Sequence, residues 1–293
     1  MYLFYHGISV IHPATTLRYL VTHSEVFYRF SNSRLLNTKM PTESCGPEGD
    51  FVSPTNAIAP AVDHGAIVGK HVTLTPLLES HAADLYKNLG EPQDSALYRY
   101  LPAGPFGDLL SFTSHIATIS ANRATLFPYA ILSSDPIHRS NQDLHSAEPT
   151  PIGIICLLNI NVPNRTIEIG YVLFPSSLQR STAATEAVSL LMKLCFDKLH
   201  YVRVEWKCNN LNEPSKRAAL RLGFMFEGLF RKHMIVKGRR RDTAWFSVID
   251  DEWNAEAGEA LVEWMADENF DREGRQRRKL EVIREGLVGG KKQ

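Results

Sequence analysis

The order of strand-like and helix-like runs along the chain, β α α β β β α β α β β, predicts an α/β protein of the α+β type. It implies a mixed, mostly antiparallel sheet of six to seven strands flanked by about four helices. Three observations carry this. PIGIICLLNI (Pro151 to Ile160) and IEIGYVLF (Ile167 to Phe174) are joined by a short turn-forming PNRT, so they read as an antiparallel hairpin. A long amphipathic run follows, with Ala184, Ala187, Val188, Leu191, Cys195 and Leu199 at helical spacing and Thr185, Glu186, Ser189 and Lys193 away from them. The chain then closes on a second hairpin, GLFRKHMIV and TAWFSVI around KGRRRD.

Taken in order, HVTLTPL (His71 to Leu77) alternates as a strand does, and Leu78 to Leu89 sets Leu78, Ala82, Leu85 and Leu89 on one helical face. A second helix runs from about Gly107 to Asn122, then FPYAILSS (Phe127 to Ser134) reads as a strand. Asp135 to Thr150 is polar and Pro-containing, as an enlarged hairpin loop would be. The nearly all-apolar Pro151 to Ile160 suits a strand buried on both faces. After the long helix Thr182 to Leu199, RVEWKC (Arg203 to Cys208) alternates, and EPSKRAALRLGF is a short helix stopped at Gly223. Trp253, Ala257, Ala260, Leu261 and Trp264 share one further helical face.

Residues Met1 to Lys39 carry Arg18, Arg29, Arg34 and Lys39 against one acid, Glu25, and Pro41 to Gly65 lacks periodicity. The expected division is therefore 1–65 as extension and linker without stable structure, 66–253 as the domain, and 254–293 as an amphipathic helix and charged tail. The mixture of charges from Asp271 to Gln293 reads as a solvated helix, and the cluster Arg231, Lys232, Lys237, Arg239, Arg240, Arg241 as a solvated hairpin tip. The basic extension leaves two locations open, the cytoplasm and, if the extension is a transit segment, the mitochondrion.

Lysine plus arginine equals aspartate plus glutamate at 32 each, so no global field draws the chain to nucleic acid or anionic lipid, and any charged site must be local. No apolar run approaches the ~20 residues of a membrane-spanning helix. Cys45, Cys156, Cys195 and Cys208 show no CxxC or paired spacing, and the eleven histidines form no HExxH, so no metal is expected.

The chemistry concentrates in SSLQRSTAATEA, which links a strand to the long helix. A helix start exposes unpaired amides and the positive end of its dipole, and small residues let an anion reach them. Ordinary capping explains such residues as well. Gln179, Arg180, Ser181, Thr182, Ala183 and Ala184 resemble the acetyl-CoA fingerprint Q/R-x-x-G-x-G/A of the GNAT superfamily, with Thr182 where glycine is usual. EIGYVL (Glu168 to Leu173), the ATEA run and NEPSKRAALRLGF (Asn212 to Phe224) resemble its RimJ/RimL branch, and GRRRDTAWFSVIDDEW is similar to fungal members. The resemblance covers about Lys70 to Trp253.

It implies a GNAT fold in which the strand Ile167 to Phe174 splays from its parallel neighbour RVEWKC. It also implies direct acetyl transfer from acetyl-CoA to a primary amine, a protein N-terminus or a small amine, by a monomer or homodimer. Acetyl-CoA is then the co-substrate, with its pantetheine along Tyr171, Val172 and Leu173, Asn212 on the pantetheine arm, and Ser215 beside the thioester sulfur. Capping explains Asn212 and Ser215 equally well. For the base that removes the ammonium proton the candidates are Glu168 first, then Glu205, then His233, each of which can instead be merely paired or packed. The tyrosine that many GNAT enzymes use as acid is replaced by Ala219. Thr182 and Ala219 together leave one competing reading, an acyl-CoA-binding module without turnover.

Overall fold

The structure is a computed structural model that describes residues 65–90, 96–121, 123–133, 135 and 149–290, together with Gly49, Ala57, Ile58 and four short strands between Ile11 and Arg29. The chain divides into two units, Met1–Pro54 and Thr55–Gln293. In the first, Ile11–His12 pairs antiparallel with Thr15–Thr16, and Arg18–Thr22 with Glu25–Arg29. The expectation of an unstructured extension otherwise falls outside the described residues, as does most of the loop expected between Asp135 and Thr150.

The second unit is built on β1 (Ile67–Val68), β2 (Thr73–Pro76), α1 (Ala82–Leu89), α2 (Leu109–Ala121), β3 (Leu126–Ser133), β4 (Thr150–Asn161) and β5 (Thr166–Leu173). There follow α3 (Thr182–Lys193), β6 (Arg203–Asn209), α4 (Glu213–Leu222), β7 (Met225–Val236), β8 (Arg239–Ile249), α5 (Gly258–Trp264) and α6 (Leu280–Gly290). The strands form one eight-stranded sheet in the order β7-β8-β6-β5-β4-β3-β2-β1. The strand beyond the six or seven expected is the two-residue β1, too short to leave a periodic signal. The pair β5 and β6 is parallel, since α3 crosses between them, and every other neighbour is antiparallel.

The parallel ladder is short. It pairs Arg203 with Thr166, Val204 with Ile167 and Glu205 with Glu168, and then ends, so the two strands part at their C-terminal ends as the resemblance implied. A register shift between β4 and β5 at the same level puts Tyr171 at φ 49 and completes the separation. The sheet separates two apolar layers. One packs Ile167, Ile169, Val204 and Trp206 under α3, α4 and α5; the other packs Ile154, Cys156 and Ala130 under α1 and α2.

Helix α3 is buried on nearly every side, including Thr185, Glu186 and Ser189, which the helical pattern had set away from the core. Long-range partners explain the difference. Glu186 accepts the backbone N–H groups of Lys70, His71 and Val72 at 2.7, 2.7 and 2.9 Å, and Thr185 Oγ1 accepts from Arg221 Nη1 at 3.1 Å. Gly69 permits this approach, because a Cβ there would lie 2.6 Å from Glu186 Cδ.

Two further expectations are corrected. The last hairpin turns at Lys237 and Gly238, both with positive φ as a two-residue turn requires, and Arg239 to Arg241 lie within β8. Lys237 Nζ donates to the Tyr98 carbonyl at 2.8 Å, so this tip is docked rather than merely solvated. Nor is the last helix solvated all round: Leu280 and Ile283 are fully buried, and Arg284 Nη1 and Nη2 donate to the Arg221 and Leu220 carbonyls at 3.0 and 3.3 Å. Both carbonyls lie at the end of α4, where Gly223 terminates the helix at φ 103 and its own N–H also donates to Leu220 O at 3.2 Å.

Edge strand β7 is mostly exposed, and two bulges interrupt its pairing with β8, which blunts the edge against further strand addition. At the other boundary, Ala57 is buried in the core and Ile58 N–H donates to Leu199 O at 2.8 Å. A chain begun at Thr55 should therefore melt within a degree or two of the whole protein. One begun at Gly65 should melt lower by several degrees, the shift that a loss of ~1 kcal/mol produces in a domain of this size. Calorimetry of the two shortened chains checks this, and equal melting would show that Ala57 adds nothing.

Candidate active site

The C-terminal end of β5, the loop from Phe174 to Ser181 and the first turn of α3 form one wall of a cleft of about 1510 Å³. The start of α4 forms the facing wall. Ser181 caps α3 in extended conformation, its Oγ accepting from Ala184 N–H at 3.0 Å. The first-turn amides of Thr182 and Ala183 have no acceptor within the helix and face the positive end of its dipole toward the cleft. Gln179 ties the loop back, Nε2 donating to Phe174 O at 2.8 Å, while Arg180 sits at φ 60.

The cleft is strongly cationic in a chain of zero formal charge. Its lining carries Arg99, Arg180, Arg217, Arg221 and Arg275 against one carboxylate, Asp135, among the described residues. Arg99, Arg180 and Arg217 form no ion pair with any described residue. Arg221 lies over the Trp264 ring at 4.5 Å, and Arg275 is held by Asp271 at 2.8 Å and Glu273 at 3.1 Å. Trp264, Phe270, Gly274, Arg275 and Gln276 show that the segment after β8 closes one end of the cleft.

Of the residues that the sequence pointed to, Val172, Gln179, Arg180, Ser181, Thr182, Ala183, Ala184, Asn212 and Ser215 all line this cleft. Leu173 is buried in the layer against α1 and α2, and Tyr171 packs on the same layer rather than into the cleft. Asn212 caps α4, its Oδ1 accepting from Ser215 N–H at 3.3 Å, so capping and cleft lining coincide. Ser215 Oγ accepts from Trp206 Nε1 at 3.0 Å, and its hydroxyl also lies in hydrogen-bond contact with Cys208. Ala219 is fully buried and does not line the cleft.

The carboxylates lie elsewhere. Glu168 and Glu205 project from the sheet face opposite α3 and α4, side by side in register. Lys207 Nζ bonds both, at 2.9 Å to Glu168 and 2.6 Å to Glu205, and rests 4.1 Å from the Trp245 ring centroid. Asn159 Nδ2 also donates to Glu168 Oε2, at 2.6 Å. Burial pushes the Glu168 carboxyl up and its Lys207 partner pulls it back. Glu205 is further tied to Arg203 at 2.9 Å. His233 bonds Thr243 Oγ1 through Nδ1 at 3.0 Å and packs between Phe230 and Trp245.

Two groups near the splay carried no motif. His115 on α2 contacts the Tyr171 hydroxyl through Nε2 at 2.6 Å, although 56 residues separate them. The arginines of the cleft were equally invisible, because Arg99, Arg217 and Arg221 meet only after folding. Among the described residues no group of three or more His, Cys, Asp or Glu is placed to hold a metal ion. No described helix is long and apolar enough to cross a membrane.

Residues 71–225 match the family model described as the acetyltransferase (GNAT) domain. A GCN5-related N-acetyltransferase from Brucella melitensis is 35% identical at a TM-score of 0.70, over 79% of this chain and 98% of that one. A GNAT-family protein of Chromobacterium violaceum is 34% identical at a TM-score of 0.62, over 73% of this chain and all of that one. YdaF of Bacillus subtilis, which carries a provisional ribosomal N-acetyltransferase name, is 32% identical over 104 residues, 36% of this chain. The match to that curated relative spans just over half of its length, 56%. Its likeness agrees with the RimJ/RimL-like character of the EIGYVL and NEPSKRAALRLGF segments. With a family match over half of the chain, a splayed parallel pair and a helix start opening on a cationic cleft, this protein belongs to the GNAT acetyltransferase family.

Proposed function

We propose that the protein transfers an acetyl group from acetyl-CoA to a primary amine, a protein N-terminus or a small amine, by direct attack with both substrates bound. The observation that carries this is the concentration of unpaired arginines around the start of α3 in a chain with no net charge. Such a lining suits a ligand with several phosphates, and the long cleft suits one with an extended arm. The Thr182 and Ala183 amides with Arg180 would hold the pyrophosphate. Backbone groups at Val172 and the Asn212 side chain would guide the pantetheine, and Ser215 would donate to the departing thiolate.

Thiol release measured against a panel of amines and peptide N-termini tests the proposal. Acetyl-CoA binding without release across the panel would favour the binding module that Thr182 and Ala219 suggest, and no binding at all would reject both. Thr182→Gly should leave acetyl-CoA affinity equal or tighter in calorimetry, since it removes the side chain that narrows the phosphate path. A marked loss would show that the threonine hydroxyl is itself a ligand.

A further inference from the structure

We propose that His115 and Tyr171 act as a proton-accepting pair at the point where an acceptor amine meets the acyl donor; this rests on the transferase reading above. Position is the first argument. β5 leaves β6 after Glu168, and its ladder with β4 shifts register between Gly170 and Leu173. Val172 therefore lines the cleft, while the side chain of its neighbour Tyr171 packs on the opposite layer with α2. Tyr171 thus spans the sheet at the splay, one residue from the cleft. The cleft lies on the α3 and α4 side, so in this proposal the second substrate approaches from the α2 side.

The second argument is backbone conformation. Tyr171 holds φ 49, a region that a bulky aromatic side chain occupies only when surrounding structure forces it. That conformation brings its hydroxyl to 2.6 Å from His115 Nε2, and the imidazole is stacked on Phe106 at 4.8 Å. Both residues are half-buried rather than sealed in the core.

The third is the state of the competitor. Glu168 Oε2 is held by Lys207 and Asn159, which ties this carboxylate into an ion pair on the sheet. His115 has no such partner: burial lowers its pKa, so the imidazole is neutral near pH 7 and able to accept. The other titratable groups facing the pair are Tyr98, whose hydroxyl donates to Leu89 O at 2.8 Å, and Cys156 on β4, whose thiol burial pushes up.

The step balances without a further reagent. An ammonium R–NH₃⁺ gives one proton to the Tyr171 oxygen as the phenolic proton passes to His115 Nε2, leaving imidazolium and a neutral amine. The amine nitrogen bonds to the thioester carbonyl carbon, and the C–S bond breaks. The second nitrogen proton leaves with the thiolate as thiol, and His115 returns the first to solvent.

The test uses the full chain with His115→Gln and Tyr171→Phe. Each should keep acetyl-CoA affinity, read by calorimetry, and each should lower kcat/KM at pH 7 by ~10²–10⁴, the usual contribution of a positioned base. In the wild type the acid limb reports His115 below its ordinary value of about 6.5. In His115→Gln that limb should be replaced by a steady rise toward the acceptor amine's own pKa, and an acceptor of low pKa that arrives neutral should recover most of the lost rate. Tyr171→Phe retains the ring, so it decides the matter if His115→Gln does not fold. Wild-type rate and wild-type pH profile in a folded variant would overturn the pair. Absence of thiol release by the wild type would instead overturn the transferase reading, and the proposal with it.

Discussion

Glu186→Ala is expected to destabilise the protein by roughly 2 kcal/mol or more, because three backbone N–H groups would lose their shared acceptor: the Val72 group is buried and costs about 1–3 kcal/mol when left unpaired, while the part-buried Lys70 and His71 groups cost less. The donors are Lys70, His71 and Val72, at the entry to β2, and the carboxylate that binds them projects from the middle of the first two turns of α3. The contact pins the first strand of the domain to the helix whose N-terminus shapes the cleft. Glu186→Gln keeps one acceptor oxygen and should cost less, and Gly69→Ala should reproduce part of the loss by forcing the carboxylate away. Chemical denaturation of the three variants checks this order. If Glu186→Ala unfolded at the wild-type denaturant midpoint, the triple contact would be energetically silent. Because α3 carries the cleft, Glu186→Ala should also weaken acyl-donor binding, whereas a loss of stability without that effect would place the damage at β2 alone.

The sequence and the structure agree wherever a signal is local. Pro151 to Ile160 is a strand because nearly every residue is apolar, and it lies between β3 and β5 with residues Pro151 to Leu157 buried. Gly223 ends α4 because a left-handed residue is needed there, and Ser181 opens α3 because its hydroxyl satisfies an orphan amide. What was missed depends on partners far along the chain. Glu186 looks like a solvent-facing residue until the strand start 115 residues earlier meets it. Leu280 and Ile283 are two apolar positions in a charge-rich run, and only α4 and α5 make them core.

The same distinction divides the site. The motif residues Gln179 to Ala184, Asn212 and Ser215 converge on one cleft because their spacing to β5 and β6 is fixed by the elements themselves. Charge could not be read this way. Arg99, Arg180, Arg217, Arg221 and Arg275 lie on four separate segments, and the balanced overall composition conceals their convergence. Glu168 and Glu205 illustrate the reverse: alternation placed both on one face, but only the structure shows that Lys207 occupies them together. Segment 264–276, outside the family match, contributes a wall that no motif announced.

Ala184→Trp should weaken acetyl-CoA binding about a hundredfold or more, equivalent to roughly 2.7 kcal/mol. Ala184 lies in the first turn of α3, 9% exposed and on the cleft lining, with its N–H already satisfied by Ser181. Its value to a ligand is therefore not its own amide but the small side chain, which leaves the Thr182 and Ala183 amides approachable by a phosphate oxygen. An indole at this position would fill that approach while leaving the backbone N–H capped by Ser181; because Ala184 also packs on the core, the variant's melting is measured before its binding. Binding to the wild type should also fall as salt rises, since Arg99, Arg180 and Arg217 would be bonding phosphates in a partly open cleft. Calorimetric titration of both proteins at two salt concentrations separates the effects. A folded Ala184→Trp variant with wild-type affinity would move the pyrophosphate away from α3; weak binding by the variant with an unchanged salt dependence would show that the arginines still engage the phosphates and that only the backbone contact was lost.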